Sequence, residues 1–317
     1  MPLPGRVISV LALLYSLASL ALADPIYSFS TITDPVSPLA TTVASAINNA
    51  GVIAGYYYAG GTPRGFVDNN GVFTAVDDPL AGSGGTTPFG INNSGQIVGI
   101  YFDASNTPHG FVDNNGVFTT INDPLGVGGT RVQGINDAGL IVGSYVDASG
   151  VQHGFLDNNG TFTPIDDPSG ISTSANGINS AGQIVGYYTD AGEMTHGFLD
   201  SGGTFTTIND PSSTSGVFSG THAAGINSTG QVVGYYTAPA TEGFLDAGGT
   251  FTTISDPSGT TTFALGLNDS DQVVGFYVGA NSRAFLATPD PEPSTLVLAF
   301  TAFLATGAHR LRKRYTA

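Results

Sequence analysis

The chain has no cysteine and no tryptophan in 317 residues, and only eight lysines and arginines against 24 aspartates and glutamates. Without cysteine no disulfide can staple the fold, and no thiolate is available as nucleophile or metal ligand. The basic residues are scarcer still in the middle of the chain, because Arg6, Arg310, Arg312, Lys313 and Arg314 lie at its ends. Residues 24–289 hold 22 acidic residues and three arginines, Arg64, Arg131 and Arg283, a net of about 19 negative charges. Such a surface repels nucleic acid and anionic lipid and suits a soluble protein that meets divalent cations. Also missing are a G-x-S-x-G elbow, a Walker loop, a dinucleotide fingerprint and a clustered Cys/His site. Stability must come from buried apolar area, for which about 265 residues suffice to build one sizeable core.

The two ends read as sorting segments. Arg6 precedes an apolar stretch, Val7 to Leu20, and Ala21-Leu22-Ala23 supplies an A-x-A site, the order of a secretory signal peptide with cleavage before Asp24. The competing reading is a buried N-terminal helix. At the other end Pro291-Glu292-Pro293-Ser294 is followed by an apolar stretch, Thr295 to Ala308, and the cluster Arg310, Arg312, Lys313 and Arg314. The apolar stretch is shorter than the ~20 residues that comfortably span a bilayer. It could still hold a precursor in an inner membrane with the basic tail on the cytoplasmic side. Residues 291–314 resemble the PEP-CTERM sorting signal. That resemblance implies recognition by an exosortase and the secretion machinery, removal of the apolar part, and delivery to the surface or extracellular matrix of a Gram-negative bacterium. An ordinary short C-terminal anchor is the plainer alternative.

Between the ends the sequence repeats itself. One unit reads "GINSAGQIVGYYTDAGEMTHGFLDSGGTFTTINDP", residues 177–211. Its Gly-Ile-Asn mark, or a variant, recurs at Ile47, Ile91, Ile135, Ile178, Ile226 and Leu267, in steps of 44, 44, 43, 48 and 41 residues. A Gly-Phe or Ala-Phe mark recurs at Phe66, Phe111, Phe155, Phe198, Phe244 and Phe285. Asp-Pro recurs at Asp34, Asp78, Asp123, Asp167, Asp210 and Asp256, one unit ahead of the other marks. Each unit predicts four short strands: one ending in Gly-Ile-Asn, one like "QIVGYY", one like "HGFLD" and one like "TFTTI". Turns such as Asn179-Ser180-Ala181-Gly182 and Asp157-Asn158-Asn159-Gly160 separate them, and Asp-Pro ends the last. The later strands show no clean apolar/polar alternation, which implies sheets covered on both faces.

Four antiparallel strands in about 40–45 residues, six times over, predict an all-β, six-bladed β-propeller of four-stranded blades spanning residues 24–290. An open β-solenoid is the competing architecture. The displaced Asp-Pro series distinguishes them. The sixth unit stops after its third strand, and the missing fourth strand is "FSTITDP" at the N-terminus. Ring closure then places Phe29, Thr31 and Ile32 beside Ala284 and Phe285, which removes two bare sheet edges.

The unit also resembles the HAF-repeat family of extracellular bacterial proteins, marked by GIN…G…VVG followed by HAF. The matching residues are His109-Gly110-Phe111, His153-Gly154-Phe155 and His196-Gly197-Phe198, with Arg283-Ala284-Phe285 nearest in form. Glycine stands for the family's alanine in five units, and its tryptophan is absent. The resemblance covers most of residues 43–287 and implies export and a repeat fold, with no reaction.

Few residues suggest chemistry. His109, His153 and His196 lie on third strands, on the order of 15 Å from a propeller axis and from one another. Zinc ligands converge to about 2 Å of the ion, so local hydrogen bonding is the expected role. Asp77-Asp78 and Asp166-Asp167 alternate with Asn122, Asn209, Ser255 and Thr33, which fits turns better than acid/base pairs. The dense Asp, Asn and carbonyl oxygens keep a calcium site open, although no EF-hand or nonapeptide pattern occurs. Tyr57-Tyr58, Tyr187-Tyr188 and Tyr235-Tyr236 are expected to place at least one ring between blades.

No catalytic, cofactor or metal residue is assigned. The leading reading is a non-catalytic binding or structural component of an extracellular matrix, with polysaccharide or a matrix protein as partner. Recognition would use the loops Leu80 to Thr87, Leu125 to Arg131, Ser169 to Ser174, Ser212 to His222 and Ser258 to Thr262, together with the loops between second and third strands. A hydrolase or lyase acting on polysaccharide or a lactone, and a calcium-dependent adhesin, are the alternatives.

Overall fold

The computed structural model describes residues 27–33, 41–214, 216, 219–279 and 282–290. The expected cleavage residues Ala21, Ala23 and Asp24 lie outside them, as do the sorting residues Pro291, Glu292, Pro293, Arg310, Arg312, Lys313 and Arg314. Phe29–Thr288 form one compact unit and the two chain ends a second. Of the ends, 27–28 and 289–290 are described, as terminal residues of strands or next to them.

The first strand is β1 (Tyr27–Ile32). Blade 1 follows as β2 (Thr42–Ile47), β3 (Ile53–Ala59), β4 (Thr62–Asn69) and β5 (Val72–Val76). Blade 2 is β6 (Thr86–Ile91), β7 (Ile97–Phe102), β8 (Pro108–Asn114) and β9 (Val117–Ile121). Blade 3 is β10 (Thr130–Ile135), β11 (Ile141–Val146), β12 (Gln152–Asn158) and β13 (Thr161–Ile165). Blade 4 is β14 (Ser172–Ile178), β15 (Ile184–Thr189), β16 (Thr195–Asp200) and β17 (Phe205–Ile208). Blade 5 is β18 (Thr221–Ile226), β19 (Val232–Thr237), β20 (Thr241–Asp246) and β21 (Phe251–Ile254). Blade 6 is β22 (Thr261–Leu267), β23 (Val273–Val278) and β24 (Arg283–Pro289), completed by β1 in the order β22-β23-β24-β1. The six sheets form a six-bladed β-propeller, sealed by the strand that begins the described chain.

Each blade is built around one phenylalanine. Phe66, Phe111, Phe155, Phe198, Phe244 and Phe285, on the third strands, are essentially fully buried. Each meets a phenylalanine of the fourth strand at 5.2–5.5 Å between ring centres, tilted or edge-on, the favoured aromatic arrangement. Blade 6 obtains the same pair from the closing strand, with Phe29 5.5 Å from Phe285. Ile32 packs with Ala44, Ile47, Ile53, Val274 and Ala284, a cluster shared by blades 6 and 1. Thr31 stays exposed, and Ser30 Oγ donates to the Leu286 carbonyl at 3.3 Å.

The first strands line the axis, and each carries a β-bulge just before its Gly-Ile-Asn mark, as between Val132 and Gly134. The bulge turns the strand so that its glycine meets the next blade backbone to backbone. A Cβ on Gly134 would lie 2.7 Å from the Asn176 carbonyl oxygen and 3.2 Å from Gly177 Cα. Five blades place glycine at this close approach, and blade 1 has Ala46 there. Ile47, Ile91, Ile135, Ile178, Ile226 and Leu267 follow and form a ring of apolar side chains in the channel.

The asparagine of the same mark closes the circle. Asn48 Nδ2 donates to the Asn92 carbonyl at 3.2 Å, Asn92 to Asn136 at 3.1 Å and Asn136 to Asn179 at 3.0 Å. Asn179 donates to Asn227 at 3.1 Å, Asn227 to Asn268 at 3.4 Å and Asn268 back to Asn48 at 3.1 Å. Each Oδ1 meanwhile accepts two backbone N–H groups of its own turn, as Asn136 does from Ala138 and Leu140.

The Asp-Pro aspartates are turn formers, as expected. Asp123 donates its N–H to Thr130 Oγ1, the first residue of the next blade, and its Oδ1 accepts from Leu125 N–H. Asp78, Asp167, Asp210 and Asp256 repeat the pair of bonds. The fourth strands show no clean alternation, as expected: in β17 Phe205 and Ile208 are covered while the two threonines between them are exposed, and residues three apart on a strand lie on opposite faces, so both faces of the sheet are covered.

Two outcomes are expected. Removing residues 24–35 strips blade 6 of its outer strand, and cooperative thermal unfolding followed by circular dichroism should be lost, whereas Phe29→Ala, half-buried, should cost about 2 kcal/mol. Asn136→Ala orphans the Asn179 carbonyl and two turn N–H groups, and urea denaturation should show a loss of about 2–3 kcal/mol.

Candidate ligand-binding grooves

Adjacent blades diverge toward the rim, and the gap between them forms a groove. Between blades 2 and 3 it has a volume of about 550 Å³. One wall is the end of β9, Thr119-Thr120-Ile121-Asn122; the other is Asp157, Asn159, Gly160 and Phe162 from the last hairpin of blade 3. Between blades 6 and 1 the groove is about 470 Å³. It is lined at matching repeat positions by Ser30-Thr31-Ile32-Thr33 and by Asp68, Asn70, Gly71 and Phe73. The closing strand thus supplies a groove wall as well as a core.

The hairpin that shapes each groove follows from its sequence. In Asp-Asn-Asn-Gly the second asparagine and the glycine both need positive φ, which Asn-Gly accepts most readily. Asn159 has φ 51° and Gly160 φ 85°. The aspartate fixes the turn, since Gly160 N–H donates to Asp157 Oδ1 at 2.6 Å and Gly71 N–H to Asp68 Oδ1 at 2.6 Å. Asn159 and Asn70 are left exposed, and Phe162 and Phe73 show one half-buried face. Burial pushes the Asp157 carboxyl up from its ordinary value, the Gly160 bond opposes this, and Asp123 adds to the rise. The groove therefore offers hydroxyls, amides, an aromatic surface and negative charge, the means of holding a polar ligand with hydroxyl groups.

The loop-bearing face is occupied with its own bonds. Loops that lead into a new blade bond to the second strand of that blade, as Gly128 N–H does to the Val146 carbonyl at 3.1 Å. Both sets of variable loops therefore share one face, as expected. His109, His153 and His196 stand there in separate blades, each stacked on a tyrosine, Tyr101, Tyr145 or Tyr188, at 5.0–5.2 Å. His153 contacts Asp166 Oδ2 through Nδ1 at 3.0 Å and Asp147 Oδ2 through Nε2 at 3.4 Å. His109 pairs the same way with Asn122 and Asp103, and His196 with Asn209 and Asp190. The histidines are local braces between a hairpin and a strand end. Arg64 takes the position in blade 1, bonded to Asp77 at 3.2 Å.

The tyrosines divide as expected, with one change of register. Tyr187 packs across the blade boundary on His222 at 4.7 Å, and Tyr235 on Phe263 at 4.9 Å. Burial there holds the His222 imidazole down at about 4, so it is neutral. In blade 1 the equivalent pair is Tyr56-Tyr57 rather than Tyr57-Tyr58, because Gly55, not Tyr56, occupies the place of Gly186; Tyr58 is an extra, exposed ring.

Among the described residues no group of three or more histidines, aspartates or glutamates is arranged to hold a metal ion. The channel mouth is a polar cup of about 160 Å³, ringed by the asparagine belt and by Asn49, Asn93, Asp137, Ser180, Ser228 and Asp269. Several of these are themselves bonded from blade to blade, as Asn93 is to Asp137 at 2.8 Å. Sequence reasoning missed the belt and the grooves. The available signal was an asparagine present in all six units at the same place, and repetition of "DNNG" and "TFTT" at positions that burial alone does not explain.

No protein-family model and no curated protein matches this chain. Solved structures do. A mutant of the Aleuria aurantia lectin in complex with Fucalpha1-6GlcNAc aligns with 80% of this chain and 97% of its own, at 14% identity and a TM-score of 0.50. The mercury-derivative form of the fucose-specific lectin from Aleuria aurantia aligns with 80% and 97%, at 13% identity and 0.50. AofleA from Arthrobotrys oligospora aligns with 82% and 86%, at 12% identity and 0.50. The likeness is one of fold.

The histidine braces generate a pH dependence. Burial lowers the His153 pKa, but its bonds to Asp166 and Asp147 outweigh burial and leave it raised. A raised value stabilises the fold below the unfolded histidine pKa, and the contribution fades as pH rises through the folded value. His153→Gln should therefore lower the thermal midpoint by about 1–3 °C more at pH 5 than at pH 8.

Proposed function

We propose that this chain is an exported, surface-sorted propeller that binds polysaccharide in the extracellular matrix of a Gram-negative bacterium and carries out no reaction. The observation that carries the reading is the repetition of one groove. Two blade junctions, built from residues far apart in sequence, present the same hydroxyl, amide, phenylalanine and carboxylate positions. A ring with equivalent sites at its rim is suited to a polymer, because several weak contacts on one chain combine into strong attachment. The fold neighbours include lectins, one solved with a fucosylated disaccharide, which supports a glycan as ligand. Their identity to this chain is too low to carry fucose over. Export and surface sorting rest on the two ends and their PEP-CTERM resemblance.

The test is co-sedimentation of the full-length chain with extracellular polysaccharide from a Gram-negative biofilm. Filling two grooves with Ser30→Arg and Thr119→Arg should weaken retention at least about threefold. Unaltered retention by a folded double variant would move recognition to the loop-bearing face, and release of reducing ends from the polysaccharide would make the protein an enzyme.

A further inference from the structure

Building on the reading of the grooves as glycan sites, we infer that they exclude anionic sugars and prefer amino sugars whose nitrogen is a free ammonium group. Neither groove is lined by a lysine, arginine or histidine. Each contains one buried aspartate, Asp68 at 9% and Asp157 at 2% exposure, with one oxygen already used by a glycine N–H.

In the groove between blades 2 and 3 a second carboxylate stands behind the first. Asp123 follows the lining residue Asn122, is also buried, and contributes to the raised value of Asp157 after burial itself. The pair recurs at other junctions. Asp78 is raised by burial and then by Asp113, and Asp246 by burial and then by Asp210. At the junction of blades 1 and 2, Asp78 Oδ2 is buried with no hydrogen-bond partner. Three blade junctions, that of the blade 2–3 groove among them, thus place one carboxylate where it disfavours the ionisation of another, with His109 partly offsetting this at Asp78.

The arginines do not reach these places. Arg64 is engaged with Asp77, Arg131 lies over the Phe102 ring at 5.9 Å, and Arg283 begins β24 at the loop-bearing face. A uronate or sulfate would bring a further negative charge to the buried aspartate of each groove, whereas an ammonium would offset the charge already there. The other groove groups decide for a sugar over another cation. The Ser30 and Thr119 hydroxyls and the Asn70 and Asn159 amides match ring hydroxyls, and the half-buried faces of Phe73 and Phe162 match the C–H face of a pyranose.

The test is calorimetric titration of the full-length chain with glucosamine oligomers, N-acetylglucosamine oligomers of the same length, alginate oligomers and oligolysine, at 50 and 300 mM salt. Glucosamine oligomers should bind about threefold or more tighter than the acetylated series at low salt, the gap should narrow at high salt, and alginate should not bind. The double variant Ser30→Lys with Thr119→Lys should lose most of the affinity for glucosamine oligomers, whereas Ser30→Gln with Thr119→Gln, similar in bulk, should lose about twofold or less. Equal affinity for both glucosamine series, alginate binding, or equal losses in the Lys and Gln variants would overturn the preference and leave glycan binding standing. Binding of oligolysine with no sugar bound would overturn both.

Discussion

Each blade is tied to its neighbour by one buried side-chain amide, and the rest of the architecture depends on that tie. The asparagine of the Gly-Ile-Asn mark has one donor group and one acceptor to place. Its oxygen holds the turn that launches the second strand, and its nitrogen reaches the same residue's carbonyl one blade further on. Six such bonds close on themselves, so no blade is left with an unpaired carbonyl or amide at this radius. An open array would leave at least one of each, at about 1–3 kcal/mol per buried group. The bulge and the glycine beside it serve the same contact, because the amide reaches only if neighbouring backbones approach closely. The steps between units vary from 41 to 48 residues without disturbing the belt. The differences fall in loops on the outer path of the chain, where length has little effect on closure.

Closure at the axis would be incomplete without closure at the rim. Ser30 and Leu286 bond across 256 residues, and Asn268 and Asn48 across 220. Contacts of that separation cost loop entropy before they return any stability, so blade 6 and its borrowed strand are expected among the last parts to form. The same strand builds one wall of the groove between blades 6 and 1. Any ligand held there binds the closed ring and not the open one, so binding and closure reinforce each other by mass action.

The fold was legible because its marks are frequent and its one irregularity is informative. The Asp-Pro series running one unit ahead of the others identified both the ring and the strand that seals it, and Phe29, Ile32, Ala284 and Phe285 meet as expected. What could not be read lies between blades. Nothing in a linear pattern says that Asn136 reaches Asn179, because the distance depends on the bulge, the glycine contact and the twist of two sheets together. The grooves were invisible for the same reason: Thr119 and Asn159 belong to different units and become neighbours only when outer strands splay. The tyrosine register in blade 1 was misread because a third aromatic, Tyr58, extends the run and hides where the repeat begins.

Variation among the six units separates packing from other demands. Positions that touch the core or the next blade scarcely change, as with the buried phenylalanines and the belt asparagines. One partly exposed position on the loop-bearing face changes freely, from Arg64 through His109, His153 and His196 to Glu242 and Arg283, and its bonding partner changes with it, Asp77 for arginine and Asn122, Asp166 or Asn209 for histidine. Descent from a common unit therefore does not by itself hold a surface residue constant. Yet the outward residue of the fourth strand remains Ser30, Thr74, Thr119, Thr163, Thr206 and Thr252, mostly exposed and facing no buried partner that would require it. Threonine suits a strand, but so do valine and isoleucine, and a solvent-facing position could accept many polar residues. A hydroxyl kept at the rim in all six blades is better accounted for by a demand from outside the fold than by one from within it.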